Sequence, residues 1–336
     1  MTNFSKFSTS LFALIAGTAL MTLTASCADE TADRAYQAET GISPAETISD
    51  DKPPFTISTQ RDFNDLFECL EASQATIVSA HRGGPSKGFP ENAIETFANT
   101  LDQVPALVEF DVATTSDGVL ILMHDDTLDR TTTGSGLVTE TSFADIQKLN
   151  LVDENGTTTS FRVPRFSDAM AFLKNRTITQ IDFKRSTRYE DVIEEVRAAD
   201  AGPRVVLIAY SMAAAAKLHR LAPEMMISLS IDTQSELNSA VAADIPEDRL
   251  VGFTGTEDPQ PRLFSLLNDR DVEVIFGTLG GRSSFDVDAA RTGDDSIYTD
   301  LARNGVDIIA TDRPVAAHKE LAKSDRDSAG KCGVSG

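Results

Sequence analysis

Two short stretches of the chain carry acids and bases at the spacing of one strand face. In Val108-Glu109-Phe110-Asp111 the carboxylates are two residues apart. An extended strand sends both to one face and sends Val108 and Phe110 to the other. Gln180-Ile181-Asp182-Phe183-Lys184 repeats the pattern, with Asp182 and Lys184 sharing a face. Three carboxylates that converge repel one another, so a proton is retained or a cation sits between them. Ligands that are all oxygen point to a hard divalent ion, Ca²⁺ or Mg²⁺, rather than zinc or copper. Two further motifs, His81-Arg82-Gly83-Gly84 and His124-Asp125, complete the set. Arg82 and Lys184 add fixed positive charge, and a guanidinium matches phosphate geometry. Two histidines supply a base and an acid near neutral pH. The chemistry these side chains share is metal-assisted displacement at phosphorus.

Such a site needs rigid strands to hold it. Short β-rich runs occur at Thr76–Ala80, Ala106–Asp111, Ile178–Lys184, Arg204–Tyr210, Met225–Ile231, Arg249–Thr254, Val272–Gly277 and Val306–Ala310. A ninth, Val119–Met123, follows the turn pair Asp117-Gly118 and reads as a hairpin leaving the second strand. Between the runs lie helical patterns. Phe63, Leu66, Phe67 and Leu70 keep the i, i+3, i+4, i+7 spacing, as do Ile94, Phe97, Ala98 and Leu101. Tyr189–Ala199, Met212–Leu221, Pro261–Asp269 and Val315–Ala322 extend the series. The alternation predicts parallel βα units, and eight of them favour a closed (β/α)₈ TIM barrel over an open doubly wound sheet. All three motif strands would then present their chemistry at the C-terminal rim. Asp125–Arg162 breaks the rhythm and is long for a plain loop, so a small insertion is expected after the second strand.

The 336 residues carry 52 acids against 30 Lys and Arg, a net charge of −22, which opposes nucleic acid as a partner. Leu11–Ser26 is apolar or small and uncharged, shorter than the roughly 20 residues of a membrane span. It reads as a signal peptide ending in Leu23-Thr24-Ala25-Ser26-Cys27, which resembles a bacterial lipobox with Thr24 in place of the usual aliphatic residue. The expected organisation is therefore a lipoprotein-type signal at 1–27, an acidic tether at 28–54, a barrel at 55–325 and a flexible Gly/Ser-rich tail at 326–336. The mature protein is expected to be exported, periplasmic or extracellular, and anchored to the membrane through Cys27 if that residue is lipidated. Cys69 and Cys332 remain, to be bridged across the whole barrel or left as free thiols.

Ala80-His81-Arg82-Gly83, Pro90-Glu91-Asn92, Glu109-Phe110-Asp111-Val112, Asp117-Gly118, His124-Asp125 and Leu128-Asp129-Arg130-Thr131-Thr132 together resemble the signature of glycerophosphodiester phosphodiesterases. Ile181-Asp182-Phe183-Lys184 resembles that family's third metal-ligand strand, and Gly305–Pro314 its final strand. The resemblance covers roughly residues 76–316. It implies a (β/α)₈ barrel with an insertion after the His-Asp pair, and metal-dependent hydrolysis of a glycerophosphodiester to glycerol 3-phosphate and an alcohol. Carried over by position, it makes His81 and His124 the catalytic pair and Arg82 a phosphate clamp. Glu109, Asp111 and Asp182 become the metal ligands, and Lys184 stabilises developing charge. Asp182 stands where the family usually has Glu; Asp occurs at this place in the related spider phospholipase D enzymes. Val274–Thr278 departs from the Trp-Thr-type strand common in the family, which bears on the substrate wall.

Other side chains receive plainer readings. His219 and His318 read as solvated helix faces. Glu91 and Asn92 read as loop-shaping and capping residues. The threonines after Arg130 read as a wall over the site, and Phe253 and Phe276 as either pocket or core. Two rival functions remain: a phospholipase-D-like lyase that turns lysophospholipids into a cyclic phosphate, and a non-catalytic envelope protein that binds phosphodiesters.

Overall fold

The computed structural model describes residues 56–57 and 63–335. The signal peptide, Cys27 and the tether expected from sequence lie outside them. The first elements are β1 (Thr56–Ile57), α1 (Phe63–Ala72), β2 (Ile77–Ala80), α2 (Ile94–Leu101), β3 (Ala106–Thr114) and β4 (Leu120–Leu122). Then come α3 (Phe143–Ile146), α4 (Phe166–Leu173), β5 (Thr179–Phe183), α5 (Tyr189–Ala198), β6 (Val205–Ala209), α6 (Met212–Leu221), β7 (Met226–Ser230) and α7 (Gln234–Ala242). The remainder are β8 (Leu250–Phe253), α8 (Pro261–Asn268), β9 (Glu273–Gly277), α9 (Phe285–Thr292), α10 (Ser296–Arg303), β10 (Ile308–Thr311), α11 (Pro314–Lys323) and β11 (Val334–Ser335).

Strands β2, β3, β5, β6, β7, β8, β9 and β10 pair in parallel, and β2 joins both β10 and β3. That double pairing closes the barrel and settles the choice against an open sheet. β4 is the antiparallel hairpin partner of β3, in the register Val112↔Leu122. The barrel strands are rich in β-branched and aliphatic residues because both faces are covered. On β3 the outward Phe110 packs against Phe97 of α2 and Phe166 of α4, at ring separations of 5.9 and 6.0 Å. Helices α4, α7, α9 and α10 were not separated by apolar period alone. α7 and α9 start instead on side-chain caps, Thr233 and Ser284, which accept from Glu236 N–H and Val287 N–H.

Inside the barrel, polarity changes with height. The floor is Leu107, Ile178, Val206, Met226 and Val251, packed against Phe63, Leu66, Phe67 and Leu70 of α1. One step of two residues upward brings Glu109 and Gln180, and the next brings Asp111 and Asp182. β3 and β5 hold them level in the registers Glu109↔Gln180 and Asp111↔Asp182.

Two expectations need correction here. The tail is not flexible within the described residues. Val334 pairs with Ile57 and both are buried in the floor, Ser328 is buried, and Cys69 of α1 is bridged to Cys332. Composition pointed to mobility, but the bridge and the buried Val334 fix the segment regardless of its glycines. His318 is buried on α11 near Asp327 rather than solvated. The insertion has a small core of its own, with Leu128, Val138, Ile146, Leu151 and Val163 packed on Ile121 and Met123. Its threonines serve that core: Thr131 and Thr132 are buried, and Thr132 Oγ1 donates to Leu128 O at 2.7 Å.

Candidate active site

The seven side chains singled out by sequence, His81, Arg82, Glu109, Asp111, His124, Asp182 and Lys184, all line one cavity of about 190 Å³ at the C-terminal rim. They come from four places in the fold. His81 and Arg82 sit in the turn that leaves β2. Arg82 has φ +50°, and its backbone N–H donates to Glu109 Oε2 at 2.8 Å. Gly83 follows at φ +86°, where a β-carbon would stand 2.2 Å from the Phe97 ring, so only glycine fits. Glu109 and Asp111 rise on β3, and Asp182 rises on β5 with Lys184 just beyond it. His124 stands just beyond β4. The opposite wall is apolar, with Ile208, Phe253, Ile275 and Leu279. Phe276 belongs to the outer core, edge-on to Phe264.

Carboxylate oxygens of Glu109, Asp111 and Asp182 lie within 4.8 Å of one another. Burial, then the charge of Asp111, pushes Glu109 up to about 8. Asp111 is also buried, yet Lys184 and Arg82 hold it below the usual carboxylate range. Burial raises Asp182, against the pull of Lys184. The Lys184 ammonium bridges Asp111 Oδ1 and Asp182 Oδ2, at 2.6 Å each. Asp182 Oδ1 is buried with no hydrogen bond. An all-carboxylate cluster with an unsatisfied oxygen suits a hard divalent cation, which would offset the repulsion among the three carboxylates.

Each histidine has a carboxylate on Nδ1. His81 Nδ1 lies 2.6 Å from Asp312 Oδ1, and His124 Nδ1 lies 2.7 Å from Asp125 Oδ1. Burial disfavours the His81 imidazolium, but the Asp312 hydrogen bond and the Glu109 charge outweigh it, so its pKa is raised. Asp125 also receives Arg130 Nε at 2.7 Å and is held far below its ordinary value by that guanidinium and by His124. Arg130 reaches on to Glu91 with two bonds of 2.7 and 2.8 Å, and Glu91 takes Arg82 Nη1 at 3.1 Å.

Sequence reasoning placed Glu91 and Asn92 wrongly. Glu91 is a buried counter-ion that fixes both arginines. Asn92 donates to Asp111 Oδ2 at 2.7 Å and accepts from Asp111 N–H at 2.9 Å, so it aims a carboxylate and caps nothing. Asp312 was given no role, although it lies just past the C-terminal end of a barrel strand, where polar groups are suspect. Its backbone N–H donates to Asp286 Oδ2 at 2.7 Å.

This geometry has a counterpart in sequence. The profile of the glycerophosphoryl diester phosphodiesterase family matches residues 81–316. The chain belongs to that family. A solved glycerophosphoryl diester phosphodiesterase of Parabacteroides distasonis is 27% identical, with a TM-score of 0.72 over 80% of this chain and 94% of that one. A glycerophosphodiester phosphodiesterase of Caldanaerobacter subterraneus subsp. tengcongensis is 29% identical over 161 residues, 46% of this chain and 66% of that protein. Human glycerophosphodiester phosphodiesterase 1 is 37% identical over 115 residues, 33% and 34% of the two chains. The chain thus spans about two thirds or less of these curated relatives.

Proposed function

We propose that the protein hydrolyses glycerophosphodiesters to glycerol 3-phosphate and an alcohol with the help of Ca²⁺ or Mg²⁺. The observation that carries this reading is the meeting, in one cavity, of two carboxylate-anchored histidines with a buried three-carboxylate cluster, Arg82 and Lys184. Glu109, Asp111 and Asp182 hold the cation, which when bound supplies electrophilic charge to the phosphate oxygens. Arg82 and Lys184 add fixed donors where negative charge grows. Glu91 holds Arg82 Nη1 at 3.1 Å while Arg82 Nε lies 3.4 Å from Asp111 Oδ2, so the guanidinium is fixed beside the cluster. The apolar wall of Ile208, Phe253 and Leu279 takes the carbon skeleton.

With Nδ1–H committed to a carboxylate, each imidazole turns Nε2 to the cavity as its working nitrogen. His81 takes the proton from the attacking oxygen, and His124 protonates the departing alkoxide. The acid is assigned to His124 because it is the more exposed of the two, 35% against 22%, and borders an open groove of about 430 Å³ through which an alcohol can leave.

The test is phosphorus NMR of glycerophosphodiester turnover. Glycerol 3-phosphate should appear, EDTA should abolish the reaction, and Ca²⁺ or Mg²⁺ should restore it. A cyclic phosphate that persists would favour the lyase reading, and no turnover with any divalent ion would favour a binding protein. Full activity after exhaustive chelation would remove the metal. Export belongs to the same proposal. The Cys69–Cys332 bridge supports an oxidising compartment. Lipidation at Cys27 is tested by mass spectrometry of the mature N-terminus, and an unmodified chain running past Cys27 would exclude it.

A further inference from the structure

The carboxylate that orients His81 has few side-chain contacts of its own. Asp312 Oδ1 lies 2.6 Å from His81 Nδ1, but the side chain is 34% exposed and Oδ2 has Gly280 N–H only at 3.5 Å. Its direction is therefore set by the backbone that carries it, in the turn just past β10. One buried side chain holds that backbone. Asp286, in the first turn of α9, is 2% exposed, and its Oδ2 accepts the Asp312 N–H at 2.7 Å. The same carboxylate accepts the Thr311 hydroxyl, 2.9 Å from either oxygen, and the Tyr298 hydroxyl of α10 at 2.7 Å. Thr311 Oγ1 in turn accepts Arg313 N–H at 2.9 Å. Residues 311, 312 and 313 are thus gathered around one carboxylate.

A buried charge persists where donors replace the water it has lost. The donors to Asp286 come from the turn that bears Asp312 and from Tyr298 behind it. Helix capping does not account for the residue, because Ser284 already caps α9 by accepting from Val287 N–H. The surrounding frame is rigid. Asp286 N–H donates to Thr278 O at 3.0 Å and Thr278 N–H donates to Ala310 O at 2.8 Å, which ties the exits of β9 and β10 together. Arg313 Nη1 reaches Asp295 at 2.7 Å and the Tyr298 hydroxyl at 3.4 Å, bracing the tyrosine from the far side.

We propose that Asp286 is a positioning residue for the reaction, its carboxylate holding the turn after β10 so that Asp312 aims His81 at the attacking oxygen. The inference rests on the hydrolytic reading above. Asp286 is too deeply buried to touch a substrate, so it acts through Asp312 and His81. An amide in its place cannot keep every bond. With its oxygen toward Asp312 N–H, its NH₂ meets the Tyr298 hydroxyl, which then loses its acceptor. Turned round, its NH₂ faces the Asp312 N–H, donor against donor. The turn must shift in either case, and a misplacement of about 1 Å at a reacting group costs about 10²-fold in rate.

The experiment is a double-variant cycle on glycerophosphodiester hydrolysis by the full chain at saturating metal, with Asp286→Asn, Asp312→Ala and the two combined. Asp286→Asn should lower kcat by about 10–10²-fold with KM within about twofold of the wild type. In the Asp312→Ala background it should cost less than about threefold, because the carboxylate it positions is gone. Proton NMR gives a readout that needs no turnover. The hydrogen-bonded His81 Nδ1–H resonates far downfield and is assigned by its loss in Asp312→Ala; Asp286→Asn should move it upfield. Tyr298→Phe keeps the ring and removes one donor, so it should act in the same direction to a smaller extent, and it carries the cycle if Asp286→Asn does not fold. An equal loss of kcat in both backgrounds, an unmoved resonance, or wild-type kcat in Asp286→Asn overturns the proposal and leaves the hydrolytic reading standing. If the wild type hydrolyses no glycerophosphodiester, that reading falls, and the resonance still decides whether Asp286 holds the His81–Asp312 pair.

Discussion

The Asp312 carboxylate offers a sharp perturbation because its surroundings dictate what an amide would do there. Asp312 Oδ1 faces His81 Nδ1 at 2.6 Å, and Oδ2 faces Gly280 N–H at 3.5 Å. The backbone of residue 312 is held independently by Asp286, so Asp312→Asn should leave the loop in place. Asparagine has one acceptor and one donor end. Its oxygen satisfies Gly280 N–H only if its NH₂ points at His81. Nδ1 must then accept, the ring proton moves to Nε2, and Nε2 can no longer take a proton from the attacking oxygen. Asp312→Ala imposes no such tautomer and leaves Nε2 usable part of the time. General base help is worth about 10²–10⁴-fold, or about 3–5 kcal/mol of barrier. Asp312→Asn should lose most of that in kcat, Asp312→Ala clearly less, and both should keep a wild-type unfolding midpoint and metal affinity. The assay is steady-state hydrolysis of a glycerophosphodiester at saturating metal. If Asn matches the wild type, or retains more activity than Ala, the tautomer argument is wrong.

His81→Ala and His124→Ala should each lower kcat by about 10²–10⁴-fold, and the double variant by less than the product, since the groups act as a unit. On a p-nitrophenyl phosphodiester, whose leaving group needs little protonation, His124→Ala should recover and His81→Ala should not; the reverse order would exchange the two roles. His219→Ala should turn over like the wild type, and a comparable loss there would show the site misplaced. Cys69→Ser should cost about 2–5 kcal/mol of stability, read from the denaturant midpoint, while kcat holds because the bridge lies at the floor and not at the rim. At that floor, burial pushes Asp307 up to about 7, with Val274 N–H opposing and Glu71 assisting the shift. A carboxyl whose folded pKa exceeds its unfolded value of about 3.8 favours folding at low pH, and loses that contribution as pH rises through about 7. The unfolding free energy of Asp307→Asn should therefore rise relative to wild type from pH 5 to about pH 7, by up to about 1.4 kcal/mol per pH unit, and level off above it. A constant difference across that range would refute the assignment.

What the sequence determined by itself is what covalent geometry repeats. A strand alternates sides every two residues, so Glu109 with Asp111 and Asp182 with Lys184 could be put on shared faces before any strand was seen. The apolar runs and amphipathic spacings likewise announced βα units, and the Asp117-Gly118 turn announced the hairpin. The seven residues that line the rim cavity could be picked out because each lies in a dense local motif at a strand end. Pairings between distant segments were not legible. His81 and Asp312 are 231 positions apart, Glu91 and Arg130 are 39, and the bridged cysteines are 263. No local pattern distinguishes Glu91 the buried counter-ion from Glu91 the helix cap, since the two differ in which guanidiniums approach from elsewhere. Those partners were chosen when β2 paired with both β10 and β3. That closure brought the rim loops into one ring and buried Glu91, Asn92, Glu109, Asp111 and Asp182 within it. Only in such a place does an acid have to find a base, and only the tertiary structure decides which one is within reach.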